Sequence, residues 1–270
     1  MNRRQFGTNL AVYALGLGLG AKALSSAPPP KTDHPSIAIT MDDFNWQPSL
    51  KLNSEERNRA ILGALKSHGN LKAALFVKGQ NADSETGRML LGEWDKAGHM
   101  IANHSYSHQY LNSAKVTAAD FNADILKGEA VIKGFPHFEK SFRFPFLKEG
   151  ESVLERDEVR KFLKQNGYRV GHVTVDASDW AVDNRLTKRL TKDPAADLKP
   201  YRDFYLAHIW ERALYYDDLS RKALGRSVKH TLLVHFNLLN ALFLGDLLDM
   251  FKSKDWKLID ATDAFKDPVF

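Results

Sequence analysis

Cysteine is absent from this chain of 270 residues, which excludes disulfide bonds, thiolate metal sites and cysteine nucleophiles. Any metal ion would therefore be bound through nitrogen and oxygen atoms. The Gly-x-Ser-x-Gly pentapeptide of many serine hydrolases is also missing, and no tandem repeat is visible. The composition is otherwise that of an ordinary globular protein, with 43% hydrophobic and 26% charged residues, enough for one domain with a sizeable core.

The excess of positive charge is small once the first 27 residues are set aside. The whole chain has a formal net charge of +5, but Arg3, Arg4 and Lys22 lie in that segment, which contains no acidic residue. The 38 basic residues less these three leave 35 against 33 acidic ones, a net charge of +2. This value is too small to indicate a nucleic-acid partner, and none is expected.

The first 27 residues have the pattern of an export signal. Arg3 and Arg4 precede an apolar stretch from Leu10 to Ala21, and small residues follow it. The paired arginines resemble a bacterial twin-arginine signal. A short membrane anchor is the alternative, but the stretch is shorter than the ~20 residues that a spanning helix needs. We therefore expect residues 1–27 to direct export to the periplasm or the cell exterior, with no stable membrane span after signal removal.

After the signal, the sequence predicts a short linker, residues 28–35, and one folded domain, residues 36–270. In that domain, short apolar segments alternate with amphipathic segments of helical period. Strands are expected at residues 36–41, 71–77, 99–103, 142–144, 168–175, 230–235 and 256–259. Helices are expected at residues 53–67, 84–97, 117–133, 155–166, 198–224 and 238–251. This alternation predicts an α/β fold with a mostly parallel sheet or a (β/α) barrel.

Unusual polar residues stand at the carboxyl ends of these strands. They are Asp42, Asp43, His104, Arg143, Asp176, Asp179 and His235. In (β/α) barrels, this edge of the sheet is where active sites are built. Charged residues with a purely structural role would not be expected to lie at the same edge of the sheet in one strand after another. The pattern therefore predicts that these side chains meet in one functional site.

Asp42 and Asp43 are the most informative pair, because two adjacent carboxylates at the end of a buried strand are costly to desolvate. A metal ion beside them would offset that cost. His104 and His108 would present their rings on one side of a helical turn and could share that metal. Ser105 stands where the zinc-protease helix motif has Glu, so that motif is absent. Each pair alone is also compatible with solvated or structural residues, but their joint placement favours a mononuclear metal hydrolase.

The same arrangement divides the chemistry among several groups. One carboxylate and two imidazoles leave open positions on a metal for water and a substrate oxygen. The second carboxylate can take the proton of the water. His235 is a candidate for the acid that protonates the leaving group, because imidazole titrates near neutral pH. The alternative is that His235 is a buried structural histidine in the apolar run that it ends.

Five short motifs resemble those of the polysaccharide deacetylases, the carbohydrate esterase group with the NodB-type domain. They are Thr40-Met41-Asp42-Asp43, His104-Ser105-Tyr106-Ser107-His108, Arg143-Phe144-Pro145-Phe146, Asp176-Ala177-Ser178-Asp179-Trp180 and Leu233-Val234-His235. Each motif alone is common by chance, but five in the family's order are specific. The resemblance implies a distorted (β/α) barrel of about seven strands and a deacetylase domain over residues 36–270.

The resemblance also implies the roles of the metal ligands and of the acid and base. Asp43, His104 and His108 would bind one divalent metal ion. Zinc is the first candidate, and cobalt or another divalent ion is the alternative. Asp42 would be the general base and His235 the general acid. The reaction would remove N- or O-linked acetyl groups from a carbohydrate polymer or oligosaccharide, such as a chitin-like, peptidoglycan-like or acetylated xylan substrate.

Other matched residues would support these groups. Arg143 would orient the base or pair with an acid of the fourth motif, and Asp179 would tune either the general acid or Arg143. The backbone N–H of Phe146 would help to stabilise the tetrahedral oxyanion. Trp180 and Leu233 would line the acetyl pocket, and ordinary barrel core is the alternative for both.

Two positions depart from the family pattern. Phe44 and Asn45 replace the usual Gly-Pro after the Asp pair, and Phe236 stands where Asp often follows the last His. Both departures are expected to alter the rim of the pocket rather than the metal ligands, which leaves the substrate class open. The segment 183–229, rich in Tyr and Arg, would either shape the sugar groove or, as we favour, pack outside the barrel.

Two other classes of function are compatible with the sequence. A non-catalytic carbohydrate-binding protein could keep the fold, although a full set of acid, base and metal ligands favours an enzyme. Another metal hydrolase, acting on amides or phosphoesters, is the second alternative. A two-metal phosphatase would need extra bridging carboxylates, and none is matched to a strand end. The sequence carries no indication of an oligomeric state.

Overall fold

The computed structural model describes residues 34–270, so the expected signal and most of the expected linker lie outside the described residues. Within this range, eight parallel strands form one sheet. They are β1 (Ser36–Asp42), β2 (Ala74–Val77), β3 (Met100–Asn103), β4 (Phe138–Phe142), β5 (Arg169–Val170), β6 (Val175–Asp176), β7 (Lys229–His235) and β8 (Lys257–Leu258). Their order is β5-β4-β3-β2-β1-β7-β6, with β8 paired to the start of β1. The sheet is curled into a half-barrel, which confirms the predicted α/β barrel-like fold.

Nine helices connect or flank these strands in the described residues. They are α1 (Ser54–Ser67), α2 (Gly79–Ala82), α3 (Glu85–Lys96), α4 (Ala118–Ile132), α5 (Val153–Gln165), α6 (Asp179–Lys192), α7 (Lys199–Leu224), α8 (Leu238–Ser253) and α9 (Ala261–Ala264). Asn53 and Glu56 form a capping box at the start of α1, as Thr117 and Asp120 do for α4. None of these helices is both long and apolar enough to cross a membrane.

Alternate residues of each strand face opposite sides of the curled sheet. On β1, Ile37 and Ile39 pack into the main core between the sheet and the outer helices. Ala38 lies on the other side, in a small cluster with Ala74 and residues of α9. Asp42 has the same parity as Ala38 and therefore also faces inward. The concave side thus holds this cluster, which also includes Phe76, Met100 and Phe265, and it presents polar side chains at the carboxyl ends of the strands.

The prediction of one strand over residues 168–175 is wrong, because this segment forms two strands, β5 and β6. β5 pairs with β4 and β6 pairs with β7, so the two strands stand at opposite ends of the sheet. Residues 171–174 connect these two edge strands. Gly171 is needed in this connecting segment, since a Cβ there would lie only 2.4 Å from the Phe76 ring.

Two further expectations about secondary structure differ from the observed elements. The strand expected at residues 142–144 lies earlier, as β4, so Arg143 follows the strand instead of belonging to it. α6 was not expected. No side chain caps its first turn, and Ser178 before it has a left-handed φ of 49°, so the sequence carries no ordinary start signal.

α7 occupies more than half of the segment 183–229 and packs against α8 and β6. Its residues Tyr205, Ile209 and Ala213 are completely buried in the main core. The structure therefore supports the packing alternative for this segment.

Candidate active site

A cleft of about 500 Å³ opens at the carboxyl ends of the strands. It is lined by Asp42, Asp43, His104, His108, Phe146, Leu147, Lys148, Asp176, Ser178, Trp180, Leu233 and His235. Eight of the ten residues that the sequence predicts for the site are in this lining. The other two, Arg143 and Asp179, lie behind it and contact Asp42 and His235. The structure thus brings all ten together.

Asp43, His104 and His108 offer three ligand atoms within 4.8 Å of one another. Asp43 Oδ1 lies 3.3 Å from His108 Nε2 and 3.8 Å from His104 Nε2. His104 Nδ1 lies 2.8 Å from the Arg143 carbonyl oxygen and donates to it, so Nε2 is the ring nitrogen that faces the Asp43 carboxylate. A donor set of two imidazole nitrogens and one carboxylate oxygen fits a divalent cation such as zinc.

The protonation states of this group suit a cation. Burial and the neighbouring His104 lower the pKa of His108 to about 4, so its ring is neutral near pH 7, as a metal ligand must be. Burial opposes ionisation of Asp43, but His104 and His108 outweigh it and leave the pKa of this carboxyl lowered. A negative carboxylate and a neutral ring are thus available to a cation near neutral pH.

The expectation that residues 104–108 form a helical turn is wrong. The segment is a loop after β3, in which Ser105 and His108 have left-handed φ values of 61°. The two rings are nevertheless close, with centroids 4.8 Å apart. Asp43 also has a positive φ, of 60°. Of the eight non-glycine residues with positive φ in the described part of the chain, five line the cleft, so backbone strain is concentrated at this site.

Asp124 on α4 fixes the shape of this loop, although no sequence pattern singles it out. Its Oδ2 accepts hydrogen bonds from the N–H groups of Tyr106 (3.1 Å) and Ser107 (3.0 Å). Its Oδ1 accepts from the Ser107 hydroxyl at 2.8 Å. Asp124 is buried and lies 20 residues after His104 in the chain, so only the folded structure reveals the contact.

Arg143 and Asp42 form a buried ion pair, with Arg143 Nη1 2.7 Å from Asp42 Oδ1. The same guanidinium donates to the Thr40 hydroxyl (2.9 Å) and the Gly171 carbonyl (2.8 Å), and it stacks 3.8 Å from the Phe76 ring centroid. Burial lowers the pKa of Arg143, and the Asp42 carboxylate opposes this effect. Of the two partners considered for Arg143, the structure shows Asp42. Asp42 Oδ2 lies on the cleft side, 3.6 Å from His104 Nε2.

His235 is oriented by Asp179, whose Oδ1 lies 2.7 Å from His235 Nδ1. His235 is also the register partner of Asp42 on the adjacent strand, so both side chains point into the same cleft. Burial favours the neutral ring, but Asp179, with Asp42 and Asp43 farther away, raises the pKa of His235 to about 9. His235 is therefore a cation near neutral pH, with its Nε2–H available on the ring side opposite Asp179.

The remaining matched residues shape the cleft walls. The Phe146 ring packs against His108 at a centroid distance of 4.6 Å, and its backbone has a left-handed φ of 58°. The hydrogen bonds of this tight turn come from the N–H groups of Leu147 and Lys148, so the turn does not use the Phe146 N–H. Trp180 is 53% exposed at the cleft edge, which is unlike a core residue.

Leu233 is only 4% exposed yet also lines the cleft, so it is both core and wall. Its register partners are Thr40 on β1 and Asp176 on β6, which places it at the floor of the cleft, two residues before His235 on β7.

The expectation that Phe44 and Phe236 alter the pocket rim is wrong. Both are buried, with their ring centroids 5.2 Å apart, and neither lines the cleft. The Arg57 guanidinium lies 5.0 Å above the Phe236 ring. These two departures from the family pattern are therefore changes in the core beneath the site.

Comparisons with known proteins agree with this geometry. A family model described as polysaccharide deacetylase matches residues 30–171, just over half of the chain. Over 144 residues, the chain is 30% identical to a peptidoglycan-N-acetylglucosamine deacetylase of Bacillus cereus, an alignment that covers 53% of this chain and 46% of that protein. The chain thus spans about half the length of this curated relative.

Two solved structures show the same fold at low identity. The chitin deacetylase of the fungus Colletotrichum lindemuthianum has a TM-score of 0.60 and 18% identity, and the match covers 87% of this chain and 89% of that one. A pseudoenzyme of carbohydrate esterase family 4 from Bacillus anthracis has a TM-score of 0.61 and 18% identity, with 87% and 66% covered. On the strength of the family match and its shared motifs, the chain belongs to the polysaccharide deacetylase family.

Proposed function

We propose that this protein is a metal-dependent hydrolase that removes acetyl groups from a carbohydrate polymer. One observation carries the proposal. The ligand atoms of Asp43, His104 and His108 converge within 4.8 Å of one another. Asp42, which is ion-paired with Arg143, and His235, which is ion-paired with Asp179, lie beside them in the same cleft. A protein that only bound sugars would not need a carboxylate, a cationic imidazole and three convergent ligand atoms together.

Asp43, His104 and His108 would hold the cation. The best candidate is zinc, because two imidazoles and one carboxylate are a frequent ligand set of catalytic zinc sites, with cobalt or another divalent ion as alternatives. When bound there, the cation would supply Lewis-acid activation of water and of the acetyl carbonyl.

The protein's own groups would move the protons. Asp42 would accept the proton of the attacking water through Oδ2, while Arg143 holds Oδ1 in place. His235 would donate its Nε2 proton to the leaving nitrogen or oxygen. Its pKa of about 9 keeps that proton available at neutral pH, which suits an amine leaving group that must be protonated to depart.

The cleft walls would bind and orient the acetyl group. The unused Phe146 N–H would donate to the oxygen that becomes negative during the reaction, a contribution of roughly 3–4 kcal/mol for one such donor. Leu233 would pack against the acetyl methyl, and the exposed Trp180 ring would offer a flat surface to a sugar ring.

We propose N-acetylated amino sugars, as in peptidoglycan or chitin, as the substrate class, with O-acetylated xylan as the alternative. The proposal is supported by two of the relatives, a peptidoglycan-N-acetylglucosamine deacetylase and a chitin deacetylase, which both act on N-acetylated amino sugars. Export through residues 1–27 would bring the enzyme to such polymers outside the cytoplasm.

A non-catalytic carbohydrate-binding protein is the second candidate, because a structural neighbour is a pseudoenzyme. One experiment separates the two. Acetate release by the purified protein is measured on N-acetylglucosamine oligomers and on O-acetylated xylan, with and without a chelator. Release that the chelator abolishes and zinc or cobalt restores would support the proposal. A protein that binds the oligomers, takes up no metal and releases no acetate would be a binding protein.

A further inference from the structure

The Asp179 carboxylate is held from several sides, although it is only 1% exposed. Its Oδ1 faces His235 Nδ1, and its Oδ2 accepts three hydrogen bonds. These come from the His235 backbone N–H (3.0 Å), Asn237 Nδ2 (3.0 Å) and Asn240 Nδ2 (2.7 Å). The position of the carboxylate relative to the His235 ring is thus set by two asparagines at the start of α8.

Asn240 is in turn oriented by a tyrosine from another helix. The Tyr205 hydroxyl on α7 donates to Asn240 Oδ1 at 2.5 Å, and both side chains are completely buried. Burial raises the pKa of Tyr205 well above its ordinary value, so this hydroxyl stays a donor at every accessible pH. The amide nitrogen of Asn240 faces three acceptors, which are Asp179 Oδ2, the His235 carbonyl (2.9 Å) and Asn237 Oδ1 (2.9 Å), so the oxygen end of the amide is the one that meets the Tyr205 hydroxyl.

The alternative orientation of the amide would be strongly unfavourable. A flipped Asn240 would direct Oδ1 at the Asp179 carboxylate and would leave buried donors and acceptors unpaired. The Tyr205 hydroxyl completes this arrangement, because it supplies the buried donor that Asn240 Oδ1 needs in the orientation that binds Asp179. Tyr205 and Asn240 lie outside residues 30–171, the part of the chain that the family model matches.

We propose that Tyr205 and Asn240 are positioning residues of the active site, which act through Asp179 to hold the His235 ring in its working orientation. This assigns a function to α7 beyond packing, because the helix supplies the last member of a buried chain that runs Tyr205, Asn240, Asp179, His235. The inference rests on the proposed function for its catalytic meaning, but the positioning itself can be measured without turnover.

Three other carboxylates interact electrostatically with the His235 ring. Asp183 on α6, with its Oδ1 bound to the Leu239 N–H, interacts electrostatically with His235. Asp42 and Asp43 act from β1. Substitution of Tyr205 or Asn240 changes none of these charges, so its effect would be transmitted through the hydrogen bonds.

The first test uses the NMR signal of the His235 Nδ1 proton in the purified protein, identified by its loss in His235→Gln. Tyr205→Phe removes only the hydroxyl, and Asn240→Leu removes the amide at similar volume. Both should shift this signal and speed its exchange with water by about tenfold, the factor that one buried hydrogen bond is worth. Tyr216→Phe, on the same helix, should leave the signal unchanged. An unchanged signal in folded Tyr205→Phe would overturn the positioning role.

The second test is a double-mutant cycle on acetate release. Tyr205→Phe should lower kcat about tenfold with KM unchanged, and should have little further effect in the Asp179→Asn background. Full additivity of the two substitutions would refute transmission through Asp179. A wild-type protein that releases no acetate, but whose His235 signal responds to Tyr205→Phe, would refute the proposed function and leave the positioning role established.

Discussion

The Arg143 guanidinium lies 2.7 Å from the Asp42 carboxylate, and both side chains are almost completely buried at the mouth of the half-barrel. Arg143 reaches across the concave face from the end of β4 to β1, and it also binds the Gly171 carbonyl in the segment between β5 and β6. The pair therefore joins three parts of the sheet while it fixes one oxygen of the proposed base. Removal of either charge would affect stability and catalysis together.

The first prediction concerns Asp42→Asn. The substitution leaves Arg143 as a buried cation without its counter-ion, which should reduce the free energy of unfolding by roughly 3–5 kcal/mol. Turnover should fall by roughly 10²–10⁴-fold because the base is lost. Metal content should stay at one equivalent, since Asp42 is not a proposed ligand. Urea denaturation, acetate release and metal analysis check the three outcomes.

Asp218→Asn is a suitable control for that experiment. Asp218 pairs with Lys222 on the exposed side of α7, where water screens the charges. This variant should unfold at the same urea concentration as the wild type and retain full activity. If Asp42→Asn behaved in the same way, Asp42 would be neither the base nor a structural partner of Arg143.

The second prediction concerns pH. The pKa of His235 is raised from 6.5 to about 9, so the rate should fall as the pH rises through about 9 and the proton is lost. In Asp179→Asn, the adjacent carboxylate no longer opposes the effect of burial on the pKa of His235. The fall in rate should therefore move down toward pH 6.5. The ion pair between His235 and Asp179 also contributes to the free energy of unfolding. Because the pKa of His235 is raised in the folded state, this contribution is complete below pH 6.5 and is lost as the pH rises through about 9.

Rate profiles and unfolding free energies at several pH values test this prediction together. An alkaline limb at the same pH in wild type and Asp179→Asn would show that another group is the acid.

The third prediction concerns Asp124, which shapes the loop that carries both histidines. Asp124→Ala should weaken metal binding by roughly 10–100-fold, the usual effect of losing a group that orients ligands. Competition with a coloured chelator measures the affinity directly, without turnover. Asp120→Ala, on the same helix, is the control, because the hydrogen bonds of the Asp120 side chain within residues 34–270 are to the cap residue Thr117 and not to the loop. Equal affinities of the two variants would exclude a role of Asp124 in the loop.

The fourth prediction separates the core from the cleft. Phe236→Ala should cost roughly 3–5 kcal/mol of stability, because the ring is buried against Phe44 and Trp94. Trp180→Ala should leave the unfolding transition nearly unchanged and raise KM for polymeric substrates. Thermal melts and steady-state kinetics on both variants distinguish the two. A stable Phe236→Ala protein with an altered KM would restore the idea that this residue shapes the rim.

The sequence was sufficient to predict the parts of the fold in which pattern and packing coincide. β1 and β7 are apolar runs that end in Asp42 and His235, and the structure pairs these two residues in register. The meeting of the motifs at one edge also followed from the alternation of strands and helices. Short elements were less predictable, because β5 and β6 have two residues each and are defined by their partners.

The supporting residues could not have been found from local pattern. A spacing of four between His104 and His108 indicated a helical turn, but two left-handed residues place the rings together from a loop instead. Asp124, Tyr205 and Asn240 resemble any other polar residue of an amphipathic helix in the sequence. Their roles arise from contacts between residues 17 to 61 positions apart in the chain.

The proposed base and the proposed acid are held by separate parts of the chain. Arg143, which holds Asp42, lies within the matched family region, and so does the loop of the two histidines. Asp179, Asn240 and Tyr205, which hold His235, all follow it. The residues proposed to position the base and those proposed to position the acid thus come from different segments of the chain, although Asp42 and His235 are register partners. Engineering of leaving-group preference should therefore begin in α6, α7 and α8, where substitutions leave the proposed metal ligands in place.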